Sequence, residues 1–312
     1  MRKLQLMWHK TRVLTCGCAL LLTSACVPST GEADKEFGEN SPMAAIQAEG
    51  ELVVAIPPDS APFASTDASG EPQGFVVDLA EYLATELEVD AEFIEASPEE
   101  MPSLVAGSDP REIGDEEADL AFPLTTITNQ IYKADAGATG FDVTTPYFVA
   151  HQRILVPSDS EVEDVDDLEG KVVCSLVDPE VGVAVEELQP EAEVEEASTP
   201  RECADALEAN DVDAAVADEV MLLRTLAELE KKTPDGYVIV GEQTTTQGYA
   251  PYVVRGMDAF ASDVFNDVKD DGRWLESYDS WIAELTGDEE PEPPALTLEE
   301  AAALYPEVVP PE

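Results

Sequence analysis

The chain has 312 residues, 44% of them apolar, enough to bury a sizeable core and a length that suits two compact lobes rather than one. Its 68 acidic residues against 16 basic ones give a formal charge of -52, and a field of that sign repels phosphate backbones and anionic headgroups, which argues against nucleic-acid or polybasic membrane binding. Cations are drawn in, but an exported surface acidified for a salty or alkaline habitat accounts for the charge equally well, so charge alone names no substrate.

Arg2, Lys3, Lys10 and Arg12 precede an apolar run from Val13 to Leu22 that is too short to span a bilayer, and small residues then lead to Cys26. Residues 1–25 read as an export signal. Thr23-Ser24-Ala25-Cys26 is similar to a bacterial lipobox, with Thr23 where an aliphatic residue is usual, and it nominates Cys26 as a lipid anchor. Ordinary signal cleavage beside a chance cysteine is the alternative. Residues 26–41 then form a charged, flexible tether. Cys16 and Cys18 leave with the signal, so Cys174 and Cys203 are the thiols that remain in the exported domain. A disulfide is expected between them, because two thiols and the one remaining histidine, His151, cannot complete a tetrahedral zinc shell. Closing that loop stabilises a fold by about 3 to 4 kcal/mol.

Further along, Glu51 to Pro57 predicts a strand, and Phe75, Leu79, Leu83 and Leu87 predict an amphipathic helix over Gly74 to Val89. A strand over Ala91 to Ala96, a helix over Pro98 to Ala106 and a buried strand over Ala118 to Leu124 complete a first α/β lobe. Strands over Gln152 to Pro157, Lys171 to Leu176, Glu193 to Ser198 and Ala214 to Asp218, with helices over Pro200 to Asn210 and Glu219 to Lys232, make a second. The alternation implies mostly parallel sheets. After Tyr237 to Gly241 a strand over Tyr249 to Arg255 and helices over Asp258 to Asp271 and Arg273 to Leu285 follow. If these last elements return to the first lobe, the chain crosses between lobes twice, near Val149 to Gln152 and near Gln243 to Gly248, which makes a hinge. Beyond an acidic, proline-rich linker, Thr297 and Glu300 form a capping box ahead of a short helix that docks on the body or on a partner.

Gly50-Glu51-Leu52-Val53-Val54 leading to Pro62-Phe63, Gly74-Phe75-Val76-Val77-Asp78-Leu79-Ala80, Thr126-Ile127-Thr128, Pro146-Tyr147-Phe148, Asp167-Leu168-Glu169-Gly170-Lys171-Val172, Asp213-Ala214-Ala215-Val216-Ala217-Asp218 and Asp271-Gly272-Arg273-Trp274 occur in this order. Together they resemble the family-3 bacterial extracellular solute-binding proteins from about Ser41 to Leu285. His151-Gln152-Arg153-Ile154-Leu155 and the Cys174 and Cys203 pair are similar to the actinobacterial branch, whose cysteines bridge a strand and a helix of the second lobe. The resemblance implies an α/β, two-lobed periplasmic-binding-protein-like clamp of type II with two crossover hinge strands. Residues 42–148 plus 249–286 would form lobe 1, 152–242 lobe 2, and 287–312 the acidic linker and C-terminal helix. It also implies a ligand held between the lobes, closure by hinge motion, and delivery to an ABC permease.

The amino-acid binders of that family grip the ligand carboxylate with an arginine three residues after the second Thr of the T-I-T motif, and that position here is Ile131. Their second grip, free N–H groups at a helix N-terminus, falls on Asp178 and Pro179, where a carboxylate and a missing donor both disfavour an anion. Asp218 matches the family's ammonium-binding Asp and is retained, with Glu219 beside it. Phe63 is expected as an aromatic wall or cation–π face, Asp59 as a further carboxylate, and Thr126 and Thr128 as polar contacts. Each has a plainer alternative: Asp218 as a helix cap, Phe63 as core, the threonines as turn-stabilising hydroxyls. The ligand expected is small and cationic or amino-acid-like, lacking a free carboxylate, unless the pocket no longer binds.

No cofactor or metal is called for by any motif, and G-x-S-x-G, H-E-x-x-H and a phosphate-cradling glycine loop are missing from the sequence. Two rivals to a transport role stand beside it: an enzyme on the same fold, disfavoured by the single histidine, and a lipoprotein that reports ligand occupancy to a membrane sensor. The expected location is the extracellular face of the cell membrane, and self-repulsion favours a monomer.

Overall fold

The computed structural model of the chain describes residues 37–105, 117–128, 131, 140–176, 185–241, 246–286 and 291–304; Cys26, Asp178 and Pro179 lie outside the described residues. The first lobe contributes α1 (Pro42–Glu49), β1 (Glu51–Ile56), a short hairpin of β2 (Ser65–Thr66) and β3 (Pro72–Gln73), α2 (Phe75–Leu87), β4 (Asp90–Glu95), α3 (Met101–Val105), β5 (Leu120–Ala121) and β6 (Phe141–Val143). Through β7 (Phe148–Ala150) the chain enters the second lobe: β8 (Gln152–Pro157), β9 (Val172–Ser175), α4 (Val185–Leu188), β10 (Glu193–Glu196), α5 (Pro200–Ala209), β11 (Ala214–Asp218), α6 (Glu219–Glu230) and β12 (Tyr237–Val240). It returns through β13 (Gln247–Tyr249) to β14 (Tyr252–Val254), α7 (Asp258–Asp270), α8 (Arg273–Trp281), α9 (Ala283–Thr286) and α10 (Leu298–Ala303). None of the described helices is long and apolar enough to cross a membrane.

Among the described residues two five-stranded sheets result, ordered β4-β1-β5-β14-β6 and β10-β9-β11-β8-β12, and β7 pairs with β13 between them. The expectation of mostly parallel sheets needs correction. β4-β1-β5 and β10-β9-β11 are parallel, but β14, β6, β8 and β12 are joined by antiparallel pairings. A strand that starts at the hinge, as β8 and β14 do, must run against strands whose C-terminal ends point toward it. The expected strand from Tyr249 to Arg255 is also interrupted: Pro251 has no N–H for a ladder, and the run divides into β13 in the hinge and β14 in the first sheet.

The apolar periodicity of α2 is realised, with Phe75, Leu79, Leu83 and Leu87 all buried. Gly74 before it stands at φ 136°, and a Cβ there would lie 2.4 Å from the Phe63 carbonyl oxygen, so no other residue fits this close approach. Asp78 on α2 accepts from Ser277 Oγ at 2.7 Å and Trp281 Nε1 at 2.8 Å, fastening α2 to α8. Trp274 Nε1 donates to the Tyr147 carbonyl at 2.8 Å, which fixes α8 to the approach to the hinge. In the second lobe Cys174 on β9 and Cys203 on α5 form a disulfide with Cα atoms 5.7 Å apart. Thr199 and Glu202 cap α5 reciprocally and Pro200 occupies its first turn.

Candidate ligand site between the lobes

The apolar run Ala214 to Ala217 stays buried as β11 and ends at Asp218, whose short acceptor side chain suits a helix N-cap. Asp218 Oδ1 accepts from the Met221 backbone N–H at 3.1 Å, so the strand stops and α6 starts at this residue. The same oxygen accepts from the Tyr249 hydroxyl at 2.8 Å. Tyr249 lies on hinge strand β13, is 2% exposed, and bridges in antiparallel fashion to Thr126 of the T-I-T segment. Thr126 Oγ1, itself buried, donates to Gln247 Oε1 at 3.0 Å. Asp218 from the second lobe, Tyr249 and Gln247 from the hinge, and Thr126 from the first lobe thus form one polar chain across the lobe junction.

The electrostatics follow from this burial. Desolvation raises the Asp218 pKa above the usual carboxylate value, against the lowering effect of the Tyr249 hydroxyl, the Met221 and Val220 N–H groups and the nearby Arg224 charge. Tyr249 is raised well above the ordinary phenol value, first by burial and then by the Asp218 charge. Arg224, one and a half turns along α6, has its pKa lowered by burial and raised by Asp218 and Tyr249. Among the described residues its buried Nε has no hydrogen-bond partner, and Nη1 lies 3.6 Å from the Met221 sulfur.

The remaining expected residues are placed differently. Phe63 is fully buried, edge-on to Phe148 at 5.5 Å and to Phe75 at 6.3 Å, so it is core and not an aromatic wall; the cluster of apolar rings offers it more burial than a cleft rim does. Thr128 Oγ1 accepts from the Ile131 N–H at 3.3 Å and serves the local turn. Ile131 packs against the apolar cluster of Ile127 and Tyr252, so the position of the family's arginine is occupied by a hydrocarbon contact. Asp59 is exposed after β1 at φ 47°, a left-handed conformation that Asp tolerates, and does not join the Asp218 chain. Glu219 turns away from Asp218 to pair with Arg153 at 3.2 Å, and Arg153 also donates to the Val240 carbonyl at 3.4 Å, which leaves this arginine committed within the second lobe. Asp178 falls outside the described residues.

The arrangement is suited to holding a cation. A carboxylate fixed by a helix N-terminus and a phenol keeps its orientation without needing the ligand, and its second oxygen can accept from an ammonium or guanidinium. Among the described residues no group of three or more His, Cys, Asp or Glu side chains is placed to hold a metal. Tyr249, Gln247 and Arg224 are the members that the sequence reading missed. The aromatic residue in Gly248-Tyr249 was a visible signal, but nothing local shows that it meets Asp218.

The comparisons with known proteins agree with this architecture. The L-cystine-binding protein TcyJ of Escherichia coli K12 is 24% identical over 274 residues, covering 85% of this chain and 94% of the relative. A glutamine-binding protein of Geobacillus stearothermophilus is 26% identical over 249 residues, covering 72% of this chain and 88% of that one. A solved structure of an ancestral cationic amino acid solute-binding protein superposes with a TM-score of 0.61 at 25% identity, over 78% of this chain and all of that chain. With residues 52–290 matched by the family model, the chain belongs to the bacterial extracellular solute-binding proteins, family 3.

Proposed function

We propose that this solute-binding protein is a lipid-anchored receptor at the extracellular face of the membrane, which captures a small cationic, amino-acid-like solute lacking a free carboxylate and offers it to an ABC-type permease. The observation that carries the reading is the pairing of a retained, oriented Asp218 with an apolar Ile131 where the carboxylate grip of such binders would be. In this reading Asp218 orients and holds the positive group of the solute, a binding role rather than a catalytic one. The long-range field of the chain adds to the site by raising the local concentration of cations. Relatives named for a cationic amino acid, for cystine and for glutamine support an amino-acid-like size.

The test is a thermal-shift screen of the mature domain at low and high salt against polyamines, quaternary ammonium compounds, amino acids and short peptides, since binding to the native state raises the midpoint by mass action. A shift with carboxylate-free cations that Asp218→Ala abolishes supports the reading. A shift with ordinary α-amino acids alone rejects it. For the anchor, Cys26→Ala should release the protein from cells into the medium; retention at the membrane would reject lipidation at Cys26.

A second reading, in which ligand occupancy is reported to a membrane sensor, is favoured by one observation: the C-terminal helix α10 lies beyond the family match and seats on the hinge. A permease and ATPase that co-purify with the membrane-bound protein support import, and a sensor kinase supports signalling.

A further inference from the structure

The family match ends at residue 290, yet the chain goes on to build structure. After α8 in the first lobe, α9 crosses to pack on α6 and β12 of the second. Residues 293–296 then run back past the hinge, sharing a cavity of about 600 Å³ with Phe148 and His151 on one crossing, Thr246 on the other, and Glu219 at the start of α6. Finally α10, closed at its N-terminus by the reciprocal Thr297 and Glu300 cap, buries Ala301 and Ala302 completely.

The seat of α10 is the hinge itself. A Cβ on Gly248 would lie 2.7 Å from Ala301 Cβ and 3.5 Å from Pro146 Cγ, so helix and hinge strand approach as closely as a glycine facing an alanine allows. Gly248 pairs with Val149 across the two crossings and Tyr249 pairs with Phe148. Successive residues of a strand face opposite ways. Tyr249 therefore reaches Asp218 from one face of β13 while α10 covers the other. The segment touches both crossings and both lobes, on the side away from the candidate ligand site.

We propose that residues 291–304 are a strap across the back of the hinge, which holds the interlobe angle and sets how far the clamp opens. Its docking surface is small: Ala301 meets Gly248 of the hinge, while Ala302 and the half-buried Leu298 pack on the first-lobe apolar cluster of Ile127, Phe141 and Tyr252, so the element is seated on one lobe and reaches across the hinge. The device acts on the hinge whatever the cleft binds, so its test needs no ligand and its failure leaves the proposed specificity untouched.

Two variants of the mature chain separate the strap from its alternatives: one lacking residues 291–312, and the full-length Ala301→Glu, which sets a charge into the contact with Gly248. Amide hydrogen exchange of peptides spanning residues 146–152 and 246–252 is compared with small-angle scattering of the same samples. The strap predicts exchange on the order of tenfold faster in the hinge peptides of both variants, with unchanged rates in β9 and α5 of the second lobe and in α2 of the first, and a broader interlobe distribution. The exposed Glu299→Gln serves as a control that should match the parent. Hinge exchange at the parental rate in the truncated chain would overturn the proposal. Faster exchange spread evenly over both lobes would also overturn it, because the segment would then be an ordinary part of the core.

Discussion

Replacing Tyr249 by Phe removes one hydroxyl and leaves the ring that fills the lobe junction. That hydroxyl donates to Asp218 Oδ1 at 2.8 Å from a site almost closed to water. A hydrogen bond to a charged acceptor contributes about 1.5 to 3 kcal/mol, which for a domain of this size lowers the melting midpoint by roughly 3 to 12 °C. The loss has a pH signature. Burial raises the folded-state pKa of Asp218 above its unfolded value near 3.8, so ionising it costs stability: the fold is favoured below that value and loses stability as pH rises through the raised one. The Tyr249 hydroxyl is the foremost of the groups opposing the rise, so its removal deepens the loss at pH 7. At pH 3.5, below even the unperturbed carboxyl value, most of the carboxyl is protonated with or without the tyrosine, and the penalty should shrink toward that of a neutral hydrogen bond, about 0.5 to 1.5 kcal/mol. Urea denaturation of the parent and of Tyr249→Phe at both pH values measures this directly, with Asp218→Asn closing a double-mutant cycle. Equal stabilities at pH 7, or a penalty that does not change with pH, would refute the contact on which the candidate site is built.

Three other outcomes follow from the geometry. Gly74→Ala should destabilise the first lobe by more than about 2 kcal/mol by thermal melting, because a Cβ meets the Phe63 backbone and φ 136° strains any L side chain; a loss below 0.5 kcal/mol would contradict the packing at α2. Removing the Cys174 and Cys203 bridge by a double serine variant should cost about 3 to 4 kcal/mol in denaturant unfolding, given a sequence separation of 29, and an unchanged midpoint under oxidising conditions would mean the bond does not form. Affinity for a permanently charged cation should rise with pH through the raised Asp218 pKa and then level off, since a cation favours the ionised carboxylate and its binding expels the proton. Calorimetric titration in two buffers of different ionisation enthalpy reads that proton release, and none at a pH below the midpoint would contradict it.

How far the sequence reveals this molecule depends on whether a feature is local. β11 and the start of α6 were legible to the residue, because an Ala-Val run closed by Asp is both a buried strand and a cap signal. The capping box at Thr297 and Glu300 was equally readable. α1 has no clear signal beyond Ser41 and Pro42, ordinary start residues, since a short helix beside a tether carries little periodicity. The site itself was half legible. Asp218 stands out by resemblance, but its partner Tyr249 is 31 residues away, and the bond depends on a hinge pairing that no local pattern encodes. Phe63 shows the converse: its motif position allows a cleft wall or core, and the rings of Phe75 and Phe148, distant in sequence, decide for core by enclosing it. Arg153 and Glu219 likewise look available in the sequence and are paired with each other in the fold.

The most direct test of the central claim is isothermal titration of the mature domain with matched pairs that differ only in the carboxylate, arginine against agmatine and lysine against cadaverine. With Ile131 in place of the gripping arginine and Asp218 oriented to receive a cation, the decarboxylated member of a pair should bind at least as tightly as the amino acid, and Asp218→Ala should abolish it. If the amino acids bind and their amines do not, a carboxylate grip exists in this cleft and the account of its specificity is wrong.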